Sequence, residues 1–290
     1  MKSSSGSIKR KPLAANLARR MALFDVTIPQ RRCADLMVST ATMKQLCSLL
    51  TKIRYHHLLY DEFGLREIDP TGGRTAINLY GPPGTGKSLA AEAFAHDLGM
   101  GLIRVNYAAI ESKYVGETSK NIKAAFQKAK EAGAVLFFDE ADAILGRRLS
   151  NVTQSTDHAV NVSRAVVLLE LDPFSGVTIF AANLAANYDP AFVRRILGHI
   201  EMPMPDAETR ARLWRAHIPP RLPARLNEAD WAALIERTEG LAGGDILNAV
   251  LYAAALAVER EGPACTITRD DFLGAIEAGR HANRAVGVTA

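Results

Sequence analysis

Nowhere in the 290 residues is there a run of about 18 uncharged apolar residues, so the sequence offers no transmembrane helix. The opening stretch, MKSSSGSIKRKPLAANLARRM, lacks the apolar centre of a secretory signal. Cysteine is scarce. Cys33, Cys47 and Cys265 are scattered and odd in number, which gives neither a disulfide framework nor a CxxC metal knuckle. No internal repeat, low-complexity tract, helix-turn-helix or zinc module is visible. The expectation from these absences is a reduced, cytoplasmic setting, with no membrane partner and no dedicated nucleic-acid module.

What is present suits a globular protein. The chain is 48% hydrophobic, enough to bury one large domain and a smaller companion. Its net charge of +4 is unevenly placed: residues 1–32 carry eight basic side chains against the single acid Asp25, leaving the remainder at −3. A leader of this kind can meet nucleic acid or an acidic protein surface, or remain a solvated extension. Within it, residues 13–24 place Leu13, Leu17, Met21 and Phe24 on one helical face, a candidate for docking on a neighbour.

From residue 76 onward, short apolar runs alternate with helical patterns. Strands are expected at 76–80, 102–106, 135–138 and 177–181, and helices at 88–98 and 118–132 with C-caps at Gly99 and Gly133. This alternation predicts an α/β fold, a parallel sheet flanked by helices. After residue 205 the pattern becomes helical, with expected helices at 206–217, 228–239, 245–259 and 270–278 and one short strand at 266–268. The expected division is a basic extension over 1–35, a large α/β domain over 36–205 and a small all-helical domain over 206–290.

Two motifs carry the chemistry. The run Gly81, Pro82, Pro83, Gly84, Thr85, Gly86, Lys87, Ser88 fits G-x-x-x-x-G-K-[ST] in full, between an expected strand and an expected helix. Its glycines let backbone N–H groups close on phosphate oxygens, the helix N-terminus adds its dipole, Lys87 bridges the β- and γ-phosphates, and the Ser88 hydroxyl suits Mg²⁺. The second motif is VLFFDE, residues 135–140, four apolar residues that deliver Asp139 to the end of a strand as a further metal-side carboxylate. Glu140 beside it is a candidate general base for the attacking water. ATP and Mg²⁺ are the expected cofactors.

With LYGPPGTGKS and LFFDEAD on the page, the chain resembles the AAA+ ATPases, over residues 36 to 280 or so. The resemblance assigns further roles. Asn183 matches the sensor-1 asparagine that positions the lytic water, and Arg195, in DPAFVRR, falls on the arginine-finger position, with Arg194 beside it. Many relatives carry a second arginine three residues on, where this chain has Gly198, so a single finger is expected. The stretch GLAGGD resembles the lid element near adenine, with Ala242 and Gly244 in place of the usual Ser and Ala. SKYVGET resembles the pore loop of protein-remodelling members, which implies that Tyr114 and Val115 grip a polypeptide in the channel of a homo-hexameric ring. The polar stretch 146–158, which includes His158, resembles a second pore loop. His56-His57 is not read as a metal site. Only about 35 residues precede the resembling part, so the client is expected to engage the ring directly or through an adaptor. Compact bacterial rings of this build resemble the pachytene-checkpoint-type ATPases that remodel HORMA-domain proteins, some of which are associated with antiphage signalling. The competing readings are a nucleic-acid motor or loader, favoured by the basic leader, and a nucleotide-gated scaffold without useful turnover.

Overall fold

The computed structural model describes residues 10–69, 75–106, 117–147, 155–183 and 188–285, with side chains from residue 16 onward and, in the helix beginning at Ser155, from residue 160. The chain forms two compact units. The first comprises residues 1–35, 44–80 and 88–201, and the second residues 36–43, 81–87 and 202–290.

The first unit is built on five parallel strands: β1 (Ala76–Tyr80), β2 (Leu102–Asn106), β3 (Val135–Asp139), β4 (Thr178–Ala182) and β5 (Ile196–Glu201), in the order β2-β3-β4-β1-β5. Four of these are the expected strands, within a residue. The fifth, ILGHIE, carried no strand signal because Gly198 and His199 interrupt its apolar pattern. Its glycine has a packing reason: a Cβ there would come within 2.7 Å of Leu49 Cδ1, on helix α2 (Thr40–Arg54). The second arginine of many relatives has no room at this place unless Leu49 moves.

Helices cover the sheet. They include α1 (Arg10–Met21), α3 (Lys87–Asp97), α4 (Glu117–Ala132), α5 (Asp142–Leu145), α6 (Ser155–Leu171) and α7 (Pro190–Val193). The stripe read on α4 is the buried one, with Ile122, Ala125, Phe126 and Ala129 at 3% exposure or less. Both α3 and α4 end in left-handed glycines, Gly99 (φ +70°) and Gly133 (φ +57°), whose following residues bond back to Ala95 and Ala129 carbonyls. Aromatic contacts join the strands to the helices: Phe126 of α4 lies 5.9 Å from Phe138 of β3, and Phe192 of α7 meets Phe180 of β4 edge-on at 6.2 Å.

The basic leader packs on its own domain. Helix α1 stops at Met21, and Phe24 reaches the core through the turn that follows, while Leu17 stays 38% exposed, so the stripe read from 13 to 24 is not a single buried face. Arg20 donates to Asn121 (2.7 Å) and to Glu117 (2.5 Å) at the start of α4, and Thr27 exchanges backbone bonds with Leu102 at the start of edge strand β2. Polar complementarity along α4 offers Arg20 a carboxylate and an amide within one helical turn, which is why a charged helix can lie there.

One polar group interrupts the sheet interior. Asn78, fully buried on β1, donates its amide to Tyr188 Oη (3.3 Å) and lies 3.2 Å from His199 Nδ1 on β5. Burial favours the neutral imidazole, lowering the His199 pKa from 6.5.

The second unit is helical: α8 (Ala207–His217), α9 (Glu228–Arg237), α10 (Gly243–Glu261) and α11 (Arg269–Ala285). Asp206 caps α8 by accepting from Thr209 N–H, and Asn227 and Asp230 form a reciprocal capping box on α9. Trp214 lies edge-on to Phe272 at 5.6 Å in the core, its indole N–H donating to Thr238. The apolar face of α10 is as read, from Ile246 to Ala257. The strand expected at 266–268 is reduced to one parallel bridge between Ala224 and Ile267. Asp271 bonds Arg260 and the Thr268 N–H, which together hold its carboxyl down to about 2.

The histidines fix a pH response. A base whose folded-state pKa is depressed stabilises the fold fully above its unfolded value, and that contribution is lost as pH falls through the folded value. His199 and His217 are both lowered by burial. Thermal midpoints are therefore expected to hold above about pH 6.5 and to decline below it, with His199→Leu flattening part of the slope. A midpoint independent of pH between 5 and 7 contradicts this assignment.

Candidate functional site

Strand β1 delivers the Gly81–Lys87 loop at its carboxyl end. Gly81 takes φ +146°, and an added Cβ would lie 2.2 Å from the Met202 carbonyl oxygen, so no other residue fits without moving backbone. Gly84 (φ +75°) faces Ala242, whose Cβ lies 3.0 Å from the position a Gly84 Cβ would take, and its carbonyl accepts from Gly244 N–H at 3.4 Å. The GLAGGD stretch thus abuts the loop, and a Cβ at Gly244 would make only ordinary contact with Gly84 Cα, at 3.9 Å. Asp245 receives the Ala242 N–H at 2.9 Å and caps α10.

Lys87 is 9% exposed. Its ammonium donates to the carbonyls of Gly81 (2.7 Å) and Pro82 (2.8 Å), so a full positive charge sits inside the curl of the loop. Such a cradle, shaped by positive-φ glycines, suits an anion.

Strands β3 and β4 supply the remaining groups. Ser88, at the start of α3, donates to Asp139 Oδ2 at 3.2 Å, joining the two residues read as metal-side ligands. A hydroxyl and a carboxylate are hard oxygen donors of the kind magnesium takes. Asp139 Oδ1 accepts the Glu140 backbone N–H at 3.1 Å. Glu140 has φ +53°, the only non-glycine with positive φ among the described residues, and Ala141 N–H bonds Ala181 O on β4 at 2.7 Å. A non-glycine backbone in this sparsely populated region persists only where its neighbours hold it, and such positions cluster at functional sites.

Asn183 stands just past the end of β4, exposed, with its backbone N–H bonded to both oxygens of Asp142 at 3.0 Å. Asp142 was not singled out from the sequence, although it is the last residue of LFFDEAD. It ties the end of β4 to the helix after β3. Arg195 forms a two-pronged pair with Asp172 (2.6 and 2.8 Å) and donates to Ala191 O (3.0 Å). Asp172 keeps the guanidinium firmly protonated, and Arg195 in turn lowers the Asp172 carboxyl. This partner of Arg195, too, had no signal in the sequence. Arg104 on β2 completes the surroundings, its Nη1 4.0 Å from Asp139 Oδ2.

Tyr114 and Val115 lie outside the described residues, as do 148–154 of the stretch read as a second pore loop. His158 falls within α6, its side chain likewise outside the description. His56 stacks on Tyr60 at 4.5 Å, whereas His57 lies 3.4 Å from Glu62.

A parallel sheet in this order, with a glycine-lysine loop ending β1 and carboxylates ending the strand two places away, defines a P-loop α/β fold. Residues 77–204 match the family described as "ATPase family associated with various cellular activities (AAA)". The chain is 36% identical over 229 residues to a proteasome-activating nucleotidase of Pyrococcus horikoshii, covering 77% of this chain and 54% of that one. It is 34% identical over 207 residues to 26S proteasome regulatory subunit 10B homolog A of Arabidopsis thaliana, covering 69% and 51%. The chain therefore spans about half the length of these relatives. Among solved structures it resembles the FIGL-1 AAA domain, with a TM-score of 0.70 at 20% identity over 93% of this chain and 94% of that one. A structure of that domain in complex with ADP matches with a TM-score of 0.71 at 19% identity over 99% and 100%. At such identities the likeness concerns the fold.

The loop geometry gives a direct test. Gly81→Ala is expected to displace the Met202 backbone, lowering the thermal midpoint by several degrees and abolishing nucleotide binding. An alanine variant with the wild-type midpoint and wild-type affinity for ADP overturns the close-approach argument.

Proposed function

We propose that the chain is an ATP-hydrolysing motor that remodels protein clients. The observation that carries this is the Ser88–Asp139 pairing at the carboxyl ends of the strands, and it is joined by the loop before Ser88, whose carbonyls enclose the Lys87 charge. The relatives named as proteasome-activating nucleotidases, and the related domain solved with ADP, support a nucleotide as ligand.

Bound Mg²⁺ would supply charge neutralisation at the phosphates. The Gly81–Lys87 loop and the Lys87 ammonium hold the phosphates, while Ser88 and Asp139 hold the metal. Glu140 accepts a proton from the attacking water, and Asn183 orients that water. Arg195 acts in trans on the nucleotide of the next subunit in a homo-hexamer, which makes assembly a condition of turnover. Tyr114 and Val115 grip the client in the channel. The finer reading is a HORMA-domain client in bacterial antiphage defence, and it rests on the sequence resemblance to pachytene-checkpoint-type ATPases.

The test is nucleotide binding and turnover in one variant series. Lys87→Ala is expected to lose nucleotide binding, and Glu140→Gln to bind ATP but turn over about a hundredfold more slowly or worse. Equal rates for Glu140→Gln and wild type would mean a scaffold rather than a hydrolase. Tyr114→Ala is expected to hydrolyse ATP yet fail to unfold a tagged client, and normal unfolding by that variant removes the threading mechanism. Turnover stimulated by DNA with a steep salt dependence would instead favour the nucleic-acid motor.

A further inference from the structure

We propose that Arg104 sets the divalent-cation demand of this site by competing with the metal for Asp139. The proposal rests on the nucleotide reading above. In the parallel pairing of β2 with β3, Arg104 lies opposite Phe137, and Asn106 lies opposite Asp139. The arginine therefore starts one pleat short of the carboxylate, on the same face of the sheet, and its length spans the difference. The Arg104 guanidinium stands 5.5 Å from the centroid of the Phe137 ring, which is fully buried and so forms a fixed platform. From there Nη1 lies 4.0 Å from Asp139 Oδ2.

That oxygen is the one the Ser88 hydroxyl donates to, while Oδ1 is taken by the Glu140 N–H. The metal-facing oxygen of the pair is thus shared with a positioned cation. The Arg104 side chain is 51% exposed and the Asp139 side chain 26%, so their attraction adds little to fold stability. A dication at Ser88 and Asp139 meets this charge within a few ångströms, and its double charge makes the repulsion larger than the Arg104–Asp139 attraction under the same surface screening. Occupation of the site requires Arg104 to give up its share of Asp139, which raises the metal concentration needed. Strand β2 carries no other cation, because the remaining residues of Leu102–Asn106 are uncharged.

The experiment is a MgCl₂ titration of the full-length protein at fixed ionic strength, read by the fluorescence of a methylanthraniloyl-labelled ADP. Arg104→Gln is expected to lower the half-saturating magnesium about fivefold, with labelled-ADP affinity at saturating magnesium unchanged. Arg104→Lys, which keeps a point charge, is expected to stay near wild type. Unchanged thermal midpoints in both variants separate the effect from folding. A half-saturating magnesium that does not move in Arg104→Gln overturns the proposal. One that rises also overturns it, and assigns Arg104 to phosphate instead. Should the wild-type protein bind no labelled ADP at any magnesium concentration, the nucleotide reading itself fails. A wild type that binds with a magnesium dependence indifferent to Arg104 leaves that reading standing and removes only the competition.

Discussion

Asp139 leaves the sheet as a carboxylate although the four residues before it, Val135 to Phe138, are wholly excluded from solvent. A charge cannot be drawn into that strand without several kilocalories of desolvation, so the carboxylate marks where the buried sheet must end. Its surroundings follow from this placement. Ser88 comes to it from the helix after the phosphate loop, Arg104 from the neighbouring edge strand, and the next residue's N–H closes on its other oxygen. Each partner is polar because the position is at once the end of the core and the beginning of the site.

The chain turns sharply there. Glu140 adopts a left-handed backbone, and Ala141 is pinned to β4 by a 2.7 Å bond, so the direction of the second carboxylate is set by the strands rather than by a flexible loop. Asp142 then reaches across to the amide of Asn183. Three consecutive polar events along LFFDEAD therefore fix the ends of β3 and β4 against each other. The roles proposed for Glu140 and Asn183 need that fixed relation, since small misplacements of a catalytic group are costly in rate.

Much of this was legible in the sequence because local rules and tertiary demands agree. Residues 76–80 and 135–139 are short, apolar and bounded by turns, and they are central strands. The glycine-lysine loop is specified by its residue types alone. Legibility failed where a residue answers to a partner distant in the chain. Strand β5 was missed because Gly198 is selected by Leu49 on α2, and His199 by Asn78 on β1, neither visible in ILGHIE itself. Asp172 and Arg104 were missed for the same reason: a lone aspartate or a lone strand arginine acquires meaning only when the fold brings it to Arg195 or Asp139. The leader was read as an extension because charge dominates its composition, yet Arg20 finds Glu117 and Asn121 across nearly a hundred residues.

The pair formed by Arg195 bears on how a finger in trans could work. A two-pronged guanidinium–carboxylate contact is geometrically specific, but with side chains 33% and 53% exposed it is worth only about 1 kcal/mol or less. In the proposed finger role, a phosphate presented by a neighbouring subunit would carry more charge than Asp172 and would likewise offer two oxygens to the guanidinium fork. Without it, Asp172 keeps the guanidinium in one orientation, together with the Ala191 carbonyl. The carboxylate thus lowers the entropy lost on engagement at small enthalpic cost. With Gly198 in the place of a second arginine, the proposed finger role falls on Arg195 alone, and the bidentate contact with Asp172 is a holder suited to that proposal.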